Sequence, residues 1–145
     1  MIQSLAQRMN LKSGYNVLLL NPPRGFALDE LPDGATLTTN PDAIPENTYD
    51  AVLLFVNNSA DIDAKTPNAW RSVKADGLFW VAYPKKSGAI KTNINRDVGW
   101  EMIGQLGLSG VKQISIDTTW SALRFRPVEA IKRPVKASEA PLKVE

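Results

Sequence analysis

Three short apolar runs, Val17–Leu20, Ala51–Val56 and Leu78–Ala82, constrain this chain more than anything else in it. None of them alternates apolar with polar residues. A strand with one wet face alternates, whereas a strand covered on both faces, as in parallel sheets, reads as a continuous apolar stretch. Each run also stops at turn-forming residues: Asn21-Pro22-Pro23, Asn57-Asn58-Ser59 and Pro84-Lys85. Between the second and third runs, Ala60–Val73 places Ile62, Trp70 and Val73 for burial on a helix, with Ser59 as the expected N-cap and Pro67 as an interruption. Strands alternating with helices predict a mostly parallel sheet in an α/β domain, with right-handed crossovers.

The rest of the chain fits around that frame. Ile2–Met9 has helical spacing, ended by Lys12-Ser13-Gly14. Phe26–Leu31 has room for one helical turn, closed by Pro32-Asp33-Gly34. Ala35–Thr39 is a short strand, and Pro41–Asn47 a loop. After the polar loop Lys85–Arg96, Asp97 is the expected N-cap of a helix that buries Val98, Trp100, Met102, Ile103 and Leu106 and ends at Gly107 or Gly110. Val111–Ile116 and Ser121–Phe125 alternate more than the central runs, and Asp117-Thr118-Thr119-Trp120 joins them as an antiparallel hairpin. Val128–Glu145 mixes Lys, Arg, Pro and Glu without periodicity and reads as a flexible polar tail, leaving 1–127 as a single α/β domain.

Composition removes several chemistries. The 145 residues include no Cys and no His. That excludes disulfides, thiolate nucleophiles, Cys-based metal sites and a Ser-His-Asp triad, so no catalytic residue and no metal ligand set is assigned. Ser121 in particular has no base to activate it. No apolar run approaches the roughly 20 residues needed to cross a bilayer, and the first ten residues lack the apolar core of a signal peptide. A cytoplasmic protein without a membrane partner is expected. The net charge of +2 does not call for nucleic acid.

The first turn is the departure that matters. In a Rossmann-like sheet, ligands bind beyond the carboxyl ends of the strands, where the strand order reverses, and the first turn is usually glycine-rich so that backbone N–H groups approach the ligand. Here Asn21-Pro22-Pro23-Arg24-Gly25 keeps one glycine, and its prolines carry no N–H. The reversal is expected between the first two buried strands. Asn21, Arg24 and Asn57, with Lys85, Lys86 and Ser87 from the loop beside them, are therefore the candidate ligand-binding residues, suited by charge to a small anionic ligand.

A parallel sheet closed by a terminal hairpin resembles the class I S-adenosylmethionine-dependent methyltransferases. Asp76-Gly77-Leu78-Phe79-Trp80-Val81 resembles their step from a late glycine into a strand, and Ile114–Phe125 their final hairpin. The strings Trp80-Val81-Ala82-Tyr83-Pro84-Lys85-Lys86-Ser87-Gly88, Arg96-Asp97-Val98-Gly99-Trp100-Glu101 and Asp117–Phe125 resemble an uncharacterised bacterial family, a domain of unknown function, over about residues 10–127. The methyltransferase resemblance implies an adenosyl cofactor, a glycine-rich first turn and an acidic residue at the end of the second strand. This chain has Thr38-Thr39-Asn40 at the last of these places, and too few residues between Thr39 and Asp50 for a further helix and strand. The expected fold is a reduced, methyltransferase-like, three-layer Rossmann-like sheet without a cofactor.

Two functions follow from these residues. One is a non-catalytic protein that binds a small anionic ligand, or a protein partner, at the carboxyl ends of its strands. The other is an S-adenosylmethionine-dependent methyltransferase with an atypical cofactor loop. Asp117, Trp120 and Arg124 invite a catalytic role, but Asp117 suits a turn cap, Trp120 a core position, and Arg124 an ion pair with Asp97 or Asp117. Tyr49 and Asp50 fall at the opposite end of the second buried strand and read as structural.

Overall fold

The computed structural model describes residues 3–85, 92–95 and 98–131. Six strands form one sheet: β1 (Asn16–Leu20), β2 (Thr36–Thr39), β3 (Tyr49–Phe55), β4 (Val73–Pro84), β5 (Leu108–Ser115) and β6 (Trp120–Pro127). Their order is β2-β1-β3-β4-β6-β5. The pairs β1–β2, β1–β3 and β3–β4 are parallel, whereas β4–β6 and β5–β6 are antiparallel. The α/β sheet with a terminal antiparallel hairpin is thus present. Residues 40–48, between β2 and β3, contain neither helix nor strand.

Helices cover the sheet from both sides. α2 (Ser59–Arg71) and α3 (Glu101–Gln105) contribute Ile62, Ala69 and Ile103 to a core with Leu18, Val52, Leu54, Phe79, Val81 and Phe125. α1 (Leu5–Arg8) contributes Ala6 on the other face, with Met9 just beyond it, against Val17, Leu19, Leu53, Phe55, Trp80 and Trp120. Period-2 alternation along β3 and β4 therefore divides one apolar run between two cores, which is why neither run alternates in sequence. Trp80 is fully buried, and its Nε1–H donates to the Met9 carbonyl at 3.2 Å, joining α1 to the centre of the sheet.

Several expectations need correction. The first helix is one turn, not eight residues: Ser4 caps it by accepting from Gln7 N–H, while the Gln7 side chain accepts from Ser4 N–H. Phe26–Leu31 is not helical. α2 runs through Pro67 without breaking, and its N-cap is Asn58 rather than Ser59. β4 starts at Val73, five residues earlier than the apolar run, because Val73 already pairs with Tyr49 before a register irregularity. Gly77 sits inside that irregularity, where a Cβ would lie 2.6 Å from Val73 Cγ1 and 3.0 Å from the Asp50 carbonyl. α3 has only five residues and no side-chain cap, and Val98, expected in the core, is 51% exposed. Asp97 lies outside the described residues. The segment read as tail opens with one helical turn, α4 (Val128–Ile131), and its remainder lies outside the described residues.

Candidate functional site

The strand order reverses between β1 and β3. The chain leaves β1 toward β2 on one side, then returns to place β3 on the other. In an open α/β sheet the carboxyl ends at such a reversal frame the ligand crevice. Leu20 pairs with Leu54 there, so Asn21 and Asn57 stand at its two sides.

Asn21 closes the crevice more than it opens it. Its backbone is left-handed, with φ at 58°, a conformation that asparagine tolerates better than most residues. That geometry aims its backbone N–H at Asn40 Oδ1, 2.8 Å away, and its Nδ2 at the Phe55 carbonyl, 3.0 Å away. Asn40 ends β2, where the methyltransferase resemblance calls for a carboxylate. Here the side chain at that place holds the turn after β1.

Beyond Asn21 the two prolines offer no N–H. Pro23 O then accepts from Phe26 N–H at 3.1 Å, with Gly25 at φ 85°, the positive value that position i+2 of a type II turn requires. The turn lifts Arg24 to an exposed tip and turns Phe26 back onto the sheet. The rings of Phe26 and Phe55 meet edge to face at 4.8 Å, and those of Phe55 and Trp120 at 5.0 Å. Aromatic rings thus fill the α1 side of the crevice.

The start of α2, the second natural anion site at a reversal, is also engaged. Asn57 N–H donates to Asp61 Oδ2 at 2.8 Å, and Asp61 N–H to Asn58 Oδ1 at 3.0 Å. Ser59 N–H donates to Asn93 Oδ1, and Asn93 Nδ2 donates back to Ser59 Oγ, both at 2.9 Å. The protein's own side chains thus engage the Asn57, Ser59 and Asp61 N–H groups at this helix start.

Of the predicted set, Asn21 directly follows β1, Asn57 lies just beyond β3, and Arg24 is exposed at the tip of the turn after β1. Lys85 does not point toward Arg24: its N–H donates to the Thr119 carbonyl and its Nζ to Ser115 Oγ at 2.7 Å, at the far end of β5. The Arg8 side chain also donates to the Ser115 carbonyl. Lys86 and Ser87 lie outside the described residues. Asp117 caps the hairpin turn, its Oδ1 accepting from the N–H groups of Thr119 and Trp120, each at 2.8 Å. Trp120 is buried. Asp50 Oδ2 accepts from Asn16 N–H at 2.8 Å and its Oδ1 lies 3.3 Å from Lys74 Nζ, bracing β1 against β4. Sequence reasoning missed Asn40, Asp61 and Asn93. Asn40 carried a usable signal, an asparagine at a strand end that takes a left-handed turn, with φ at 45°.

Among the described residues, no group of His, Cys, Asp and Glu is placed to hold a metal ion, and no helix is long and apolar enough to cross a membrane. A shallow open groove of about 440 Å³ lies at the opposite end of the sheet, lined by Glu46, Trp70, Arg71, Lys74, Asp76 and Pro127. Its charges are partly paired within the protein, with Arg71 Nε 3.5 Å from Glu46 Oε2.

No family model and no curated protein matches the chain. Solved structures do. A SAM-dependent methyltransferase from Aquifex aeolicus is 12% identical over 82% of this chain and 85% of its own, with a TM-score of 0.53. The PH0226 protein from Pyrococcus horikoshii OT3 is 10% identical over 85% of each chain, with a TM-score of 0.54. The structure of a DhpI–SAH complex is 15% identical over 81% of this chain and 78% of its own, with a TM-score of 0.55. At these identities the likeness shows the fold, and the fold is that of the class I methyltransferases.

Proposed function

We propose that this protein uses a methyltransferase fold as a non-catalytic scaffold that binds a small anionic ligand at the carboxyl ends of β1 and β3. One observation carries the reading. The two N–H-bearing groups of Asn21 are engaged by Asn40 and Phe55, while Arg24, three residues on, is an exposed cation without a carboxylate partner among the described residues. A loop locked in this way cannot wrap a bulky adenosyl group unless those bonds break. It still presents an exposed guanidinium at the tip of the turn after β1 to a small carboxylate or phosphate.

The test is residue-resolved. Titrating the full chain with acetate and with inorganic phosphate, followed by amide NMR, is expected to shift Arg24, Gly25 and Asn57, and Arg24→Ala is expected to abolish those shifts. Shifts at Gly25 and Asn57 that survive Arg24→Ala, or titrations that never shift these residues, contradict the reading. The likeness to SAM-dependent methyltransferases, one of them solved as an SAH complex, favours a second reading: an enzyme whose first turn reopens to admit the cofactor.

A further inference from the structure

β6 carries two arginines on the face that α1 covers. Trp120 and Ala122 belong to the α1-side core, and Leu123 and Phe125 to the other. Alternation therefore puts Arg124 and Arg126 on the α1 side. The register places Arg124 beside Trp80 of β4 on one flank and opposite Lys112 of β5 on the other. Ile114, two residues beyond Lys112, packs into the same core, so Lys112 shares this face. The register puts Arg124 and Lys112 level with Trp80 and Leu53, with Arg126 two residues further along β6, and the strands β4 and β3 stand between this trio and β1.

Among the described residues this cluster is uncompensated. Arg124 is half-buried, and its Nε is shut off from solvent with no hydrogen-bond partner among them. Burial lowers its pKa from the ordinary value, the Arg126 charge lowers it further, and Tyr15 acts the other way. Tyr15 packs against the same core, which places a phenol near the guanidinium. The ion pairs among the described residues are Arg71–Glu46 and Lys74–Asp50, so neither arginine nor Lys112 is paired with a carboxylate there. A half-buried guanidinium with an unmet donor and a like charge two residues away is costly on its own and favourable once an anion is bound.

We propose that Arg124, Arg126 and Lys112 form a second site, which takes a small molecule through a phosphate group. The chemistry selects phosphate over a simple carboxylate. Two guanidinium groups and an ammonium share one face of two adjacent strands, and a tetrahedral dianion has both the charge and the oxygens to meet them, whereas a monocarboxylate neutralises one cation and leaves the others.

Calorimetric titration of the full chain with inorganic pyrophosphate at low ionic strength tests the site. A saturable site that persists in Arg24→Ala is expected. Arg124→Gln is expected to weaken it about tenfold or more, and Arg126→Gln and Lys112→Gln severalfold. Lys65→Gln, on α2 across the sheet, is expected to leave it within about twofold. Thermal unfolding of each variant confirms that it is folded. Should Arg124→Gln not fold, Arg126→Gln and Lys112→Gln decide, since those side chains are less committed to the interior. Absence of binding to the wild type, or binding unchanged in every folded variant of the trio, overturns the proposal. So does a loss caused instead by Arg24→Ala, which moves the anion to the β1–β3 crevice.

Discussion

Asn21 donates its side-chain amide to the carbonyl of Phe55 at 3.0 Å, tying the carboxyl end of β1 to that of β3 at the point where the sheet reverses its order. With Asn40 holding the backbone N–H of the same residue, two loops and a strand end converge on one asparagine. The crevice is therefore a structural joint as well as a candidate binding place.

Replacing Asn21 should reveal that joint. Asn21→Ala removes the bond to Phe55 and forces an alanine to hold a left-handed backbone, which together should lower stability by about 2 kcal/mol. Asn21→Gly removes the bond but suits the backbone, so it should cost about 1 kcal/mol. Urea unfolding of the two variants checks the order. A glycine variant less stable than the alanine variant would show that the left-handed turn is not what the site demands.

Trp80 anchors α1 through Met9, and its indole is wholly buried. Trp80→Phe leaves the Met9 carbonyl without that donor and opens a void beneath the helix, at an expected loss of about 2–3 kcal/mol. Hydrogen exchange should speed up in Leu5–Arg8 well before the sheet responds. Uniform exchange across the chain would contradict the local anchoring.

The start of α2 separates a cap from a tether. Asn58→Ala should cost about 1 kcal/mol, because Asn58 Oδ1 accepts from Asp61 N–H. Ser59→Ala should cost less in stability, since the Ser59 hydroxyl bonds Asn93 rather than the helix backbone. It should instead raise the amide exchange rate of Asn93. The reverse ranking in denaturant titration would restore Ser59 as the cap.

Thr66 presents an opposite case. It is fully buried, and its hydroxyl has no partner among the described residues. Thr66→Val keeps the shape and removes the orphaned group, so stability should rise by about 1 kcal/mol, read as a higher urea midpoint at unchanged slope. A fall in the midpoint would mean that the hydroxyl is satisfied in solution.

The sheet was legible in the sequence because burial on both faces leaves a signature that needs no partner to read: the runs at Val17, Ala51 and Leu78 are all strands. The hairpin was legible for the same reason, its alternation being a local property. The helix lengths were not. α1 stops after one turn at Asn10, whose backbone is left-handed with φ at 70° and which lets Leu11 N–H return to the Ala6 carbonyl, while the first residues of β4 join the sheet because Val73 finds Tyr49. Propensity in a short window does not carry the second fact. The site behaved likewise. The reversal between β1 and β3 followed from the strand order, but the direction of Lys85 is decided by Ser115, thirty residues on, and the engagement of Asn21 by Asn40 from a neighbouring strand end. The acid-less end of β2 was visible in sequence, whereas its replacement role as a hydrogen-bond acceptor for the first turn was not.

The proposed function requires that the bonds from Asn21 to Asn40 and Phe55 keep an adenosyl group out of the β1–β3 end of the sheet. Thermal unfolding of the full chain with increasing S-adenosylhomocysteine tests it most directly. A ligand bound at about a hundred times its dissociation constant would add about 2.7 kcal/mol, a shift of several degrees for a domain of this size. The account predicts no saturable shift with the wild type. A saturable rise in the unfolding temperature would contradict it and return the protein to the cofactor-binding members of its fold.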